Sequence, residues 1–155
     1  MKFGKVDIPE DLSYTPSHFW VRVEDNLCTV GWTDYIQRNA GDVNYIELTA
    51  NGTTLTVKQD FGTIETSKWV ERLYSPVGGR VLEVNDRVIQ IPWLINRAPF
   101  GEGWFIKIEM QGEMGPPSLM STREYREHIK TCDEDQYGIT GNGQIEHRGG
   151  DDPGI

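Results

Sequence analysis

The chain has 155 residues, of which 37% are hydrophobic, and a formal net charge of −9. This length suits one domain with a core of its own, and the acidic balance argues against nucleic acid as a partner because phosphate binding requires a basic surface. The sequence has no apolar run long enough for a membrane span and no apolar stretch after residues 1–5 that would mark a secretory signal. Its two cysteines are too few for a disulfide framework, so we expect a cytoplasmic protein.

Short segments of alternating character, separated by turn residues, predict an all-β domain. Residues 20–24 and 27–31 flank Asp25-Asn26 as a hairpin, and residues 33–39 follow as a short helix capped by Thr33 or Asp34. Strands of about five residues with regular turns are typical of a small antiparallel sandwich or barrel. Further strands are predicted at residues 43–48, 53–57, 62–67, 70–74, 80–84 and 104–108, with a helical turn broken by Pro92 within residues 87–97.

A helix is predicted near the C-terminus, after a linker at residues 111–118. Ser121 and Glu124 have the spacing of a capping box, and about two helical turns follow. Tyr125 and Ile129 lie four residues apart, so they share the face that we expect to dock on the sheet body.

The domain boundaries follow from composition. Residues 1–12 are interpreted as a lead segment and residues 13–131 as the domain with its C-terminal helix. Residues 132–155 are acidic and rich in glycine. We expect this tail to be disordered, because it cannot bury enough apolar area to offset the entropy lost on ordering.

Lys68 lies between the strands predicted at residues 62–67 and 70–74, so the pattern predicts a hairpin with this lysine at its tip. A modifying enzyme could reach an amine in that position. Acylation would remove the charge of the amine and make Lys68 the anchor of a cofactor arm. The alternative is an ordinary solvated lysine.

Several motifs occur in a fixed order between about residues 13 and 130, and no one of them decides the family alone. They are Tyr14-Thr15-Pro16-Ser17-His18-x-Trp20-Val21, Gly31-x-Thr33-Asp34-Tyr35, Gly41-Asp42-Val43, Gly62-x-x-Glu65-x-x-Lys68, Tyr74-Ser75-Pro76-Val77-x-Gly79, Val84-Asn85, Leu94-Ile95-Asn96 and Pro99-Phe100-Gly101-Glu102-Gly103-Trp104. Together they resemble the H protein of the glycine cleavage system, a lipoyl carrier. The resemblance implies a mainly β barrel-sandwich hybrid, like a lipoyl domain, with short helices and a C-terminal helix. It also implies lipoic acid in amide linkage to Lys68, in a carrier that is not an enzyme.

The residues beside that lysine belong to the predicted cofactor site. Glu65, Ser67 and Trp69 surround Lys68 in the sequence. Trp69 is either an anchor recognised by a lipoate-protein ligase or another partner, or a side chain that flanks and shields the hairpin.

Four residues fall in the region where the resembled family shelters a carried aminomethyl group with a Ser, a Glu and an Asp. Ser17 matches the serine, but Phe19 and Arg72 stand where the family has its two acids. Arg72 suits an anionic group such as a carboxylate or a thiosulfonate. The alternatives are that Phe19 packs over the sheet and that Arg72 pairs with a nearby glutamate. His18 is either a proton shuttle beside the arm or a structural histidine at a strand end.

The pathway prediction rests on a second resemblance. The run Glu65-Thr66-Ser67-Lys68-Trp69 and the extended C-terminus are similar to the H-protein-like lipoate-binding proteins of bacterial sulfur oxidation, which work with a heterodisulfide-reductase-like complex. Sulfur-compound oxidation is therefore the main prediction. The alternatives are the aminomethyl carrier of glycine cleavage, acting with the glycine cleavage enzymes, and an unlipoylated interaction module. The protein is expected to be a monomer without membrane or nucleic-acid partners.

The remaining histidines and cysteines do not indicate further chemistry. His128 and His147 have no ligand cluster near them in the sequence, so no metal site is predicted. Cys28 is expected to be a buried apolar residue, and Cys132 an exposed thiol that is either incidental or able to exchange with a dithiolane. No nucleophile and base pair indicates catalysis by the chain itself.

Overall fold

The computed structural model describes residues 1–111 and 119–132, and within these ranges the chain forms short antiparallel strands and four helices. The strands are β1 Lys2–Phe3, β2 Val6–Asp7, β3 Ser13–Tyr14, β4 Phe19–Glu24, β5 Leu27–Trp32, β6 Val43–Leu48, β7 Thr54–Leu55, β8 Asp60–Thr66, β9 Val70–Tyr74, β10 Gly79–Val84 and β11 Ile106–Met110. The helices are α1 Asp34–Ala40, α2 Asp86–Gln90, α3 Leu94–Arg97 and α4 Thr122–Cys132. The predicted mainly β class with short helices and a C-terminal helix is confirmed.

Two sheets make up the body of the domain. The larger has the strand order β3-β4-β5-β11-β10-β7, and the smaller has the order β6-β8-β9. Strand β4 pairs with β5 through a tight turn at Asp25, whose φ is 55°. Trp20 and Gly31 are opposite each other in this pair, and the Trp20 ring lies over Gly31. A Cβ at Gly31 would come within 2.6 Å of the indole. Only glycine leaves room for the ring at that position.

Apolar side chains from both sheets form the main core. Phe61 of the smaller sheet has its ring centroid 5.9 Å from that of Phe19 and 6.5 Å from that of Phe105. Trp32 continues the cluster at 6.4 Å from Phe105. These rings join the two sheets, because each buries apolar area against its neighbour in an offset or tilted arrangement.

A second, smaller core holds α4 against the domain. The Tyr125 ring stacks on that of Tyr14 at 4.6 Å between centroids, and Ile129 is fully buried beside them. The predicted capping box is present, because the Glu124 backbone N–H donates to Ser121 Oγ at 3.1 Å and the Ser121 N–H donates to Glu124 Oε1 at 2.9 Å. The helix thus begins where the sequence predicted and presents the expected face.

The C-terminal helix is longer than predicted, and this corrects one expectation. Its described part has 11 residues and reaches Cys132, the last residue described there. Cys132 is 6% exposed and belongs to the second core, so the expectation of an exposed thiol was wrong. Cys28 is buried in the main core, as predicted.

Most other elements lie within two residues of their predicted positions. Strand β11 begins at Ile106 instead of residue 104 because the Trp104 carbonyl accepts a hydrogen bond from the Asn85 side chain at 2.7 Å. In the lead segment, Ile8 is buried in the second core and the Asp7 N–H donates to Asp34 at 2.8 Å. Residues 112–118 of the predicted linker and residues 133–155 of the predicted tail lie outside the described residues. None of the four helices within residues 1–111 and 119–132 has the length and apolar character of a bilayer span.

Candidate functional site

The hairpin predicted around Lys68 is present, formed by β8 and β9. Its last backbone pair is Thr66 and Trp69, where the Thr66 N–H donates to the Trp69 carbonyl at 2.8 Å. The Thr66 hydroxyl oxygen also accepts from the N–H groups of Lys68 at 3.2 Å and Trp69 at 3.1 Å. One threonine side chain therefore fixes the backbone of the tip.

Lys68 is partly exposed at this tip. Within the described residues its ammonium makes no ion pair and no hydrogen bond. The backbone of the residue is thus fixed while its amine remains uncommitted, which is the arrangement that a modified lysine requires.

The tip rests on the corner between α1 and β6. The Ser67 N–H donates to the Asp42 carbonyl at 2.9 Å, and its hydroxyl donates to the Ala40 carbonyl at 3.4 Å. Gly41 ends α1 with φ 79° and ψ −160°, a conformation essentially restricted to glycine. A Cβ at Gly41 would also collide with Ser67 Oγ.

A network of side-chain amides supports that corner from beneath. Asn96 donates to Gln37 Oε1 at 3.0 Å and to the Gly41 carbonyl at 2.9 Å, and its own carbonyl oxygen accepts from the Val43 N–H at 2.8 Å. Gln37 in turn donates to Asp34 at 2.7 Å. Sequence reasoning included Asn96 in a motif but assigned it no role, and nothing in the local pattern singled out Gln37.

The two other predicted neighbours of Lys68 differ in their surroundings. Glu65 is exposed in β8, opposite Val70 and Tyr45 in the ladder. Trp69 is partly buried and packs against the main core. Its ring therefore flanks the hairpin, and only part of it is accessible to another protein.

Arg72 is on the outer face of β9, together with Val70 and Tyr74, which are 61% and 49% exposed. Its Nη1 lies 2.6 Å from Asp60 Oδ2, so its ion-pair partner is neither Glu65 nor Glu71, the two neighbouring acids that the sequence suggested. This pair lines a groove that continues past Glu47, Leu48, Thr49, Phe61, Gly62 and Thr63. The cation at this position is therefore balanced by a carboxylate.

Ser17 lies in a separate, adjacent pocket of about 270 Å³. Its hydroxyl is 3.0 Å from that of Thr15. The pocket is lined by Thr15, Pro16, Ser17, Val57, Lys58, Tyr74, Ser75 and Pro76. Tyr74 thus connects the outer face of β9 with the pocket of Ser17.

The last two predicted cleft residues are buried. Phe19 is 4% exposed and packs in the main core, so it faces Phe61 and not a cleft, and the expectation that it lines one is corrected. His18 is also buried, has φ 74°, and places Nδ1 3.0 Å from the Tyr125 hydroxyl. Burial, with a smaller contribution from His128, lowers the pKa of His18 to about 3. The imidazole is neutral at physiological pH, which agrees with the structural alternative for this residue.

Comparison with known proteins bears on this arrangement. The family model described as glycine cleavage H-protein matches residues 12–132. A glycine cleavage system H protein from Carboxydothermus hydrogenoformans is 39% identical over 123 residues, which is 79% of this chain and 95% of that protein. A probable glycine cleavage system H protein from Haloarcula marismortui is 43% identical over 124 residues, covering 80% of this chain and 98% of that protein.

The fold comparison agrees with the sequence comparison. The crystal structure of a glycine cleavage system H protein from Mycobacterium marinum superposes with a TM-score of 0.74 at 28% identity, covering 79% of this chain and 99% of that one. The motifs, the fold and the position of Lys68 at the hairpin tip all agree with these comparisons. The chain belongs to the glycine cleavage H-protein family, whose members carry a covalent lipoate on a lysine and act as carriers, not as enzymes.

Proposed function

We propose that Lys68 is the lysine of this chain that carries lipoate. The observation that supports the proposal is the tip itself: the backbone is held by Thr66 and Ser67, and within the described residues the amine has no partner. A lipoate-protein ligase could approach such a tip and form the amide. Thr66, Ser67 and the partly buried Trp69 would then fix the root of the arm while its end moves.

Bound lipoate supplies a dithiolane that interconverts between disulfide and dithiol, so its sulfurs can accept and release a group. The chain contributes the tether. A long arm on a rigid hairpin keeps the sulfurs at high effective concentration near any enzyme that docks beside the tip. Arg72 follows Lys68 by four residues and lies in β9, on the strand that leads away from the tip.

We further propose that the carried group is the aminomethyl group derived from glycine, with the glycine cleavage enzymes as partners. The names of the relatives support this choice over sulfur-compound oxidation. An unbalanced positive charge on Arg72 would repel the ammonium of an aminomethyl group. Asp60 balances this charge and leaves no isolated cation there. The buried position of Phe19 also means that this ring does not contact a carried group.

A second candidate function is the transfer of an oxidised sulfur group in heterodisulfide-reductase-like sulfur oxidation. One observation favours it: Arg72 is an exposed guanidinium that lines the groove, and guanidinium groups bind anionic oxygens in a fork. The pocket of Ser17 has no carboxylate in its lining.

Loading experiments distinguish the two candidates. The lipoylated chain is incubated with isotopically labelled glycine and glycine-decarboxylating enzyme, and intact mass records the label on the arm. Aminomethyl carriage predicts rapid labelling that requires Lys68. Absence of glycine-derived label, together with an adduct formed from thiosulfate and a heterodisulfide-reductase-like complex, would select the sulfur function.

The variant Arg72→Asp tests whether the groove contacts the carried group. If it does, a carboxylate in place of the cation raises the rate of glycine-derived loading several-fold, since opposite charges about 4 Å apart attract by 1–4 kcal/mol. Arg80→Asp, on an exposed position of β10, is the control and should leave loading unchanged. Equal rates in both variants would place the carried group away from Arg72. Phe19→Glu is unsuitable as a partner variant because it would bury a carboxylate in the core.

A further inference from the structure

At the C-terminal part of α4, the fold brings the imidazole of His18 together with the imidazole of His128 and the thiol of Cys132. Cys132 Sγ lies 3.5 Å from His128 Nε2 and 3.9 Å from His18 Nε2. The three residues offer ligand atoms that all lie within 4.8 Å of one another. Two of the three, His18 and Cys132, are buried.

The two sulfur-to-nitrogen distances, 3.5 and 3.9 Å, are close to the separation between two ligands of one metal ion. With bonds of about 2.0–2.1 Å to nitrogen and 2.3 Å to sulfur, tetrahedral coordination separates neighbouring ligand atoms by roughly 3.3–3.6 Å. A thiolate with two imidazoles is a donor set suited to zinc and other late transition metals. The three ligand atoms lie within 4.8 Å of one another, so movements of up to about 1.5 Å would bring the sulfur and both nitrogens around one centre.

The surrounding residues hold two of these ligands in the required positions. His18 Nδ1 is 3.0 Å from the Tyr125 hydroxyl, which is itself 2.7 Å from Thr33 Oγ1. When Nδ1–H donates to Tyr125 and Tyr125 donates to Thr33, the lone pair of His18 Nε2 points to the cluster. A second hydrogen bond of this kind, on the nitrogen away from the metal, orients most metal-binding histidines. Cys132 follows His128 by one helical turn of α4, so both project from one face.

We propose that His18 Nε2, His128 Nε2 and Cys132 Sγ form a binding site for one Zn²⁺ ion, with a fourth position open to water or another small ligand. In the metal-free protein His128 Nε2 donates to the Pro16 carbonyl at 2.9 Å. On binding, Zn²⁺ replaces the proton of the Cys132 thiol, which is released, and the imidazole proton of His128 moves from Nε2 to Nδ1. No electron transfer is involved.

The site would connect the C-terminal end of α4 to the start of β4. The sequence predicted no metal site because His18 is separated from the other two ligands by more than a hundred residues, and because Cys132 was expected to be exposed. The proposal is independent of lipoylation, since it uses none of the residues at the hairpin tip.

Cobalt substitution tests the site directly. The full-length chain with unmodified Lys68, which has no dithiol to compete for metal, is titrated with Co²⁺ and its absorption spectrum is recorded. We expect one equivalent to produce intense tetrahedral ligand-field bands and a thiolate-to-cobalt charge-transfer band, both removed by one equivalent of Zn²⁺. Zn²⁺ should also raise the thermal midpoint in a concentration-dependent manner.

Variants identify the ligands. Cys132→Ser should remove the charge-transfer band, and His128→Gln should weaken Zn²⁺ affinity by at least about tenfold. Cys28→Ala and His147→Gln are the matched controls and should retain both signals. His128 is partly exposed on the helix, so its variant keeps the test valid even if substitution of the buried Cys132 impairs folding. Failure to bind Co²⁺ or Zn²⁺ at micromolar concentrations, or unchanged bands in both ligand variants, would overturn the proposal.

Discussion

At the scale of single residues, Thr66 and Lys68 have complementary roles in the hairpin. Thr66 uses one hydroxyl oxygen to satisfy two backbone N–H groups at the tip. Neither Ser67 nor Lys68 has a positive φ, the backbone conformation that favours glycine. The tip therefore forms without a glycine. Lys68 is thereby presented from a fixed backbone.

Replacement of Thr66 by valine tests this role. Valine has nearly the same shape but cannot accept a hydrogen bond, so the N–H groups of Lys68 and Trp69 lose their acceptor. We expect a loss of about 1–3 kcal/mol in the free energy of unfolding and slower lipoylation. Urea denaturation and the initial rate of lipoyl transfer measure the two effects. Thr63→Val, in the same strand, is the control, and an equal effect there would contradict the role of Thr66.

The sequence was sufficient to predict that Lys68 lies at the tip of a hairpin, but not which residue forms the ion pair with Arg72. The hairpin is a local feature, because both strands and the turn lie within 15 consecutive residues, from Asp60 to Tyr74. Arg72 pairs with Asp60 because the ladder of β8 and β9 shifts register between Asp60 and Gly62. An irregularity of that kind is not evident from alternation of polar and apolar residues, so the neighbouring glutamates were the expected partners.

At the scale of elements, the hairpin depends on the end of α1. Gly41 allows the chain to leave the helix directly beneath Ser67, and Asn96 of α3 ties this corner to the helix. The position of the tip therefore depends on α1 and α3, which are far apart in the sequence from the hairpin and from each other.

Gly41→Ala tests this dependence. The substitution places a Cβ at a φ of 79° and against Ser67 Oγ, so we expect a loss of about 1–3 kcal/mol in stability and a lower kcat/KM of the ligase for the chain. Gly52→Ala is a matched control, because Gly52 has φ 87° with open space around it. Gly52→Ala should lower the stability of the chain as Gly41→Ala does, but should leave the kcat/KM of the ligase unchanged. Equal ligase kinetics in the two variants would show that the corner does not position the tip.

At the scale of the whole molecule, the second core makes α4 part of the domain. Tyr14, Ile8 and Leu12 from the N-terminal part pack with Tyr125 and Ile129 of the helix. The sequence predicted which face of α4 would be buried but not that the lead segment contributes to the same core. Contacts between the two ends of a chain depend on tertiary packing and are not encoded in local periodicity.

Truncation of Ile129 to alanine measures the contribution of this core. Because Ile129 is fully buried, we expect a loss of about 2–5 kcal/mol in one cooperative unfolding transition. Lys130→Ala, on the exposed side of the same helix, should change stability by no more than about 0.5 kcal/mol. Separate unfolding of α4 before the sheets, detected by far-ultraviolet circular dichroism, would argue against one cooperative unit.

The most direct test of the account is the intact mass of the chain after co-expression with a lipoate-protein ligase. We predict that the wild-type chain and Lys58→Arg, a second lysine in a connection between strands, each gain the mass of one lipoyl group, whereas Lys68→Arg gains none. A lipoyl adduct that persists in Lys68→Arg, or a wild-type chain that is never modified, would contradict the assignment of Lys68 as the attachment site.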